Sequence, residues 1–216
     1  MIVLGLDPSL TNFGWAVHDT ALDACVGRGR FQTPASMVFI DRYINLRESL
    51  RGLIQQTKPD RVGLESPIFN ELWSEGMYGL FLFCCEALRI EGQDVVLFTP
   101  PQIKAHARLS LGRPKGWSMK KPDMVEAVKN VTGEKKRWNH NEADAYWAAL
   151  VASRFWLLYD GVIQPGDLTK VEAQQFMLVK TYQRGKKAGI TEKRGIIHRE
   201  DDRFFLWSEG VDDHAT

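Results

Sequence analysis

The chain has 216 residues, 44% of them hydrophobic, and its 28 Lys and Arg nearly balance 27 Asp and Glu for a net charge of +1. That is enough apolar material for one sizeable core with a small appendage. Three cysteines, Cys25 and the vicinal pair Cys84 and Cys85, exclude a disulfide framework. With no signal pattern and no apolar run long enough to cross a bilayer, the expectation is a cytoplasmic protein in a reducing compartment, without a membrane partner.

In chain order, a short apolar run at 2–6 reads as a buried strand stopped by Pro8-Ser9, and 13–18 as its hairpin partner. Asp7 is expected at the sheet edge, where a carboxylate can meet a metal or a phosphate; the plain alternative is a turn residue before proline. A third strand is expected at 24–32, a helix at 36–56, and a strand at 61–65 that also ends in an acid, Glu65, before Ser66-Pro67. Glu65 also fits a solvated strand terminus. A helix at 72–91, a strand at 94–98 and helices near 101–110, 120–131 and 142–159 complete the order. The stripe Leu72, Met77, Leu80, Phe81, Cys84 and Leu88 suits a core or a dimer interface.

In the last of these helices, Asp144 shares a face with Ala148, Val151, Ala152 and Phe155. A carboxylate heading a buried stripe is costly unless a cation meets it, although a first-turn acid stabilised by the helix dipole is the bland alternative. Two strand ends and one helix start form a set that can gather acids around divalent cations. Upstream, Asn139 and Glu142 fit an N-cap followed by its N3 acid.

Charge is segregated. Between Lys104 and Arg137 ten basic residues, including Lys104, Arg108, Arg113, Lys115, Lys120 and Lys121, face only three acids. That is the footprint of a nucleic-acid groove beside an acidic site, the alternative being a solvated basic loop.

Gly5-Leu6-Asp7-Pro8-Ser9 with Gly14-Trp15-Ala16-Val17 downstream, Glu65 after a Val-Gly-Leu strand, and Ala143-Asp144-Ala145 together resemble the RuvC family of Holliday-junction resolvases, within the RNase H-like nucleases. The resemblance spans roughly residues 1 to 158. It implies an α/β RNase H-like fold with a five-stranded mixed sheet flanked by helices, and an endonuclease that cuts four-way DNA junctions by paired nicks as a homodimer. It also implies two Mg2+ ions, replaceable by Mn2+, bridged by Asp7 and held by Glu65 and Asp144, which would activate water and stabilise the leaving oxygen. Lys121 matches a family lysine near the scissile phosphate. Phe69, or Ile68 beside it, falls where the family places a wedge into the junction; a lid on the following helix is the other reading.

This sequence departs from the family at Asn141, where an Asp or His is usual. Asn141 and Glu142 are both open as the fourth ligand, with His140 behind them. Nucleases for RNA–DNA hybrids or flaps would use the same acids, and a branched-DNA binder with a weakened metal site is the alternative that Asn141 suggests. An actin-like ATPase shares the Gly-x-Asp strand start but needs two such domains, which this length does not accommodate.

Residues 1–160 are expected to form the nuclease domain and 161–216 a basic extension. Within 180–199, seven basic residues, among them Lys186 and Lys187, face one acid. A β-hairpin with a cationic loop that grips a DNA arm is expected there, against a disordered basic tail.

Overall fold

The computed structural model describes residues 1–67, 75–134 and 137–176, together with the strand backbones at 179–181, 191–193, 196–200 and 203–206. Strands β1 (Ile2–Asp7), β2 (Asn12–Asp19) and β3 (Ala24–Gln32) form an antiparallel meander. Helix α1 (Phe39–Thr57) then leads to β4 (Arg61–Glu65), which pairs in parallel with β1, and α2 (Glu75–Ile90) leads to β5 (Val95–Phe98), parallel to β4. Helices α3 (Pro100–Ser110), α4 (Lys121–Thr132), α5 (His140–Tyr159) and α6 (Lys170–Phe176) follow. The chain then forms a separate pair, β6 (Val179–Thr181) with β7 (Thr191–Lys193), and a hairpin, β8 (Ile196–Glu200) with β9 (Arg203–Leu206).

The sheet order is β3-β2-β1-β4-β5-β8-β9. The five expected strands are present, and the C-terminal hairpin lengthens the same sheet by pairing β8 antiparallel to β5. One expectation is corrected: β1 lies in the middle of the sheet and Asp7 is not on an edge strand. Its carboxylate is reachable because β1 ends there. A second difference is α6, absent from the sequence reading; Thr169 caps it by accepting from the Glu172 N–H at 3.2 Å while Glu172 Oε2 accepts from the Thr169 N–H at 2.7 Å.

Side-chain alternation on the strands sorts the core into two layers. Leu4, Leu6, Phe13, Val17, Val62, Leu64 and Val95 pack against Leu46 and Leu50 of α1 and Leu80 and Leu88 of α2. Val3, Ala16, Val96 and Phe98 face Ile103 of α3, Met124 of α4 and the alanine-rich side of α5.

On that second face the central strands carry glycines at Gly5, Gly14 and Gly63. A methyl group on Gly5 would run into the Ala145 carbonyl and the Ala149 N–H, one on Gly14 into the Asn141 carbonyl, and one on Gly63 would lie 2.5 Å from the Ala152 Cβ. The α5 backbone therefore rests directly on the sheet.

Gly5→Ala is expected to lower stability by about 1–3 kcal/mol or more through overpacking. Gly52→Ala, mid-α1 with nothing within 4 Å of the added carbon, is expected to raise it by about 0.5–1 kcal/mol. Urea unfolding of the two variants checks both signs.

Candidate active site

Register brings the first two acids together. Leu6 of β1 aligns with Leu64 of β4, so the next residues, Asp7 and Glu65, end adjacent parallel strands side by side. On its other flank Glu65 aligns with Phe98. Asp144 arrives from α5, one residue before the Ala145 carbonyl that lies over Gly5. The glycine contact thus sets how closely the third carboxylate approaches the other two.

Electrostatics records the convergence. The Asp7 carboxyl is held well above its usual range by burial, then by repulsion from Glu65 and Asp144, with Lys121 and Lys104 opposing. Burial and the charge of Asp144 push Glu65 up to about 8 against the pull of Lys104. Asp144 is raised to about 6 by burial, with Lys104 and Lys121 again opposing. Its Oδ1 is buried with no hydrogen-bond partner. Crowded carboxylates that hold protons near neutrality, one with an orphaned oxygen, fit a hard divalent cation. Among the described residues no three acidic, His or Cys side chains stand close enough to enclose an ion as placed, so a cation would have to draw these three inward.

Lys104, expected only as a DNA contact, lies near enough on α3 to act on all three carboxyls. Lys121 begins α4, and its Nζ is 3.1 Å from His140 Nε2. The candidates for a fourth ligand have other engagements. Asn141 is buried, and its amide donates to the Asn12 carbonyl. Glu142 is the N3 acid of α5: its carboxylate accepts from the Asn139 N–H at 3.3 Å and faces Arg28 at 3.8 Å. The capping reading of Asn139 and Glu142 is the one the structure adopts.

The remaining expected DNA contacts are dispersed. Arg108 lies in the last turn of α3, Arg113 lies over the Trp117 ring at 4.9 Å, and Lys115 and Lys120 are exposed in or beside the α3–α4 connection. Phe69, Lys186 and Lys187 lie outside the described residues, as does Ile68. Two residues near the site were not reached by sequence reasoning. Arg28 stacks on Trp138 at 3.6 Å and pairs with Glu134 at 2.5 Å; Arg30, two residues on, belongs to the same face of β3. Only the β2–β3 register, which sets Arg30 opposite Gly14, identifies that face.

The three cysteines are free, and burial pushes the Cys25 and Cys85 thiols up to about 11 and about 12 and the Cys84 thiol upward as well. Thiols so placed are poor nucleophiles.

No protein-family model matches the chain. The crossover junction endodeoxyribonuclease RuvC of Ruminiclostridium cellulolyticum is 26% identical over 136 residues, covering 61% of this chain and 80% of that protein. The structure of Thermus thermophilus RuvC aligns with a TM-score of 0.58 at 18% identity, covering 74% of this chain and 97% of that one. RuvC of the same organism in complex with Holliday junction substrate aligns at 0.56 and 19%, covering 69% and 90%.

Asp144 and Glu65 bind protons more tightly folded than unfolded, so full stability is present below about pH 4 and is lost as pH rises through about 6 and about 8. Buried His18 and His106, whose pKa values are lowered, act in the opposite sense. The clean measurement is therefore a difference. In chelator, Asp144→Asn is expected to melt increasingly above the unsubstituted protein as pH rises from about 4 to about 8, and an added divalent cation is expected to close that gap. A gap that shrinks with pH would contradict the assigned repulsion.

Proposed function

We propose that this chain, a RuvC-type protein in sequence and fold, is a structure-selective endonuclease that resolves four-way DNA junctions by paired nicks. The observation that carries the reading is the meeting of Asp7, Glu65 and Asp144 at one end of the sheet, with Lys104 and Lys121 beside them. Mg2+, bound as two ions and replaceable by Mn2+, would supply an activated water and charge stabilisation for the leaving oxygen. Asp7 is repelled by both other carboxyls and so sits where a shared ligand is needed. Glu65 and Asp144 complete the oxygen set from either side. Lys104 and Lys121 attract the scissile phosphate and offset its charge as the in-line displacement proceeds.

A four-way junction offers two equivalent strands, which a two-fold homodimer would match. A second copy has an apolar surface to cover: Ile40 and Ile44 are exposed one turn apart on α1, and Tyr78 and Leu82 one turn apart on α2. These two helices pack together on the sheet face opposite α5. A partner seated there would leave both carboxylate centres open to DNA.

Asn141 favours a second reading, a binder of branched DNA with weakened cleavage, because its amide oxygen brings no charge to a cation where a carboxylate would. Cleavage separates the two. On labelled four-way junction, linear duplex, flap and RNA–DNA hybrid, with Mg2+ and with chelator, we expect symmetric nicks on the junction alone and only with metal. Asp7→Asn is expected to lower cleavage by about a thousandfold or more while junction binding persists. Tight junction binding by the unsubstituted protein without nicks would establish the second reading, and cutting of the hybrid or flap in preference to the junction would refute both.

A further inference from the structure

Beyond Lys121, on the side away from the carboxylates, lies a cleft of about 660 Å³ lined by Arg30, Lys121, Arg137, Trp138, Asn139 and His140. Two helix N-termini open onto it: Lys121 is the first residue of α4, while Asn139 caps α5 and His140 begins it. Helix starts carry partial positive charge and attract anions. Here they are joined by three full cations. The one acid in the lining, Glu142, is already engaged by Arg28 and by the Asn139 N–H. Among the described residues Arg28 has two carboxylate partners, whereas Arg30, Lys121 and Arg137 form no ion pair.

Register fixes where this cleft stands relative to the chemistry. Asp7 aligns with Gly14, and Gly14 with Arg30. Arg30 is therefore two strand spacings from Asp7, about 10 Å, on the sheet face that α5 covers. Lys121 spans the interval: its charge acts on Asp7 and Asp144, and its Nζ touches the His140 ring, which also feels Arg30. The cations form one wall running from the carboxylates into the cleft.

We infer that this cleft seats a second phosphate of the strand being cut, and that Arg30 and Arg137 position that strand so that a single phosphodiester meets Asp7, Glu65 and Asp144. The inference rests on the nuclease reading above and adds a binding site to it. A separation of about 10 Å across two strand spacings places the seated phosphate within a few nucleotides of the scissile bond on the same strand. Arg30 hydrogen-bonds only loosely to Asn12 Oδ1, at 3.5 Å, so its guanidinium can turn to a phosphate.

The test uses the full chain in two forms. With Asp7→Asn in place to prevent cutting, junction affinity is measured across a salt series. Arg30→Gln with Arg137→Gln is expected to weaken binding about tenfold and to reduce the slope of log affinity against log salt by about one, the signature of one lost phosphate contact. Arg89→Gln, an exposed charge at the end of α2 on the opposite sheet face, is expected to leave the slope unchanged. With Asp7 intact, Arg30→Gln is expected to spread the nicks over neighbouring phosphodiesters and to raise KM more than it lowers kcat, and Arg30→Lys to restore the salt slope.

An unchanged slope in the folded double variant, together with an unchanged cut position in Arg30→Gln with Asp7 intact, would overturn the cleft while leaving the nuclease reading intact. An equal loss of slope in Arg89→Gln would also overturn it, because the effect would then be overall charge. If the unsubstituted protein cuts no DNA, the nuclease reading fails separately, and the salt slope still reports whether the cleft holds a phosphate. Failure of the unsubstituted protein to bind DNA at all would overturn both.

Discussion

The position of α5 against the sheet governs the arrangement around it. A helix ordinarily stands off a sheet by the thickness of its side chains, yet here Gly5, Gly14 and Gly63 face it from three adjacent strands, and the peptide groups of Asn141, Ala145 and Ala148 lie where their Cβ atoms would be. The alanines of α5 continue the pattern from the helix side: Ala143, Ala145, Ala148, Ala149 and Ala152 are all buried. Close approach carries Asp144 to the ends of β1 and β4 and sets Asn141 against Asn12. Displacing a catalytic group by about 1 Å can cost about a hundredfold in rate, so a methyl group far from any substrate atom can damage the chemistry.

Bringing three carboxyls together opposes folding, because burial and mutual repulsion both disfavour their ionised forms. Lys104 and Lys121 relieve part of this without neutralising it. They come from helices on the same side of the sheet as α5, so attractive and repulsive charges are held by one packed layer. A near-zero net charge therefore conceals a pronounced separation: acids at the sheet end, and cations beside them on α3, α4 and β3. Such a separation steers a polyanion toward the acids that would otherwise repel it.

Much of this was legible in the sequence, since the informative signals were local. Short apolar runs ending in Asp7 and Glu65 mark strands buried on both faces, the 3.6-residue pattern around Asp144 marks a helix with one acid in its buried stripe, and Asn139 with Glu142 marks where that helix begins. What was missed depends on tertiary partners. The glycines matched a motif, but their contact with α5 is not encoded at any fixed separation. Gly27-Arg28-Gly29-Arg30 looks like an exposed strand until α5 and the connection before it, with Glu134 and Trp138, are known to meet one of its faces. The β1 hairpin alone put Asp7 at a sheet edge, whereas the parallel pairing of β1 with β4 that makes Asp7 and Glu65 neighbours, also expected, is present. The α6 helix had a capping signal in Thr169 and Glu172, obscured by the short length of its apolar pattern.

The C-terminal segment is tied to the body of the protein by two separate contacts, one at each end of β5. At its start, the Phe176 ring packs on Phe98, Phe155 and His106, and Glu172 pairs with Arg154 of α5 at 2.8 Å. At its far side, Ile196 aligns with Val96 and Ile197 with Val95, so β8 pairs antiparallel with the first two residues of β5 and runs on past its start. The β6–β7 pair lies between these two anchors in sequence. The extension thus closes the edge of β5 with an added hairpin while its first helix packs on the α5 side of the sheet.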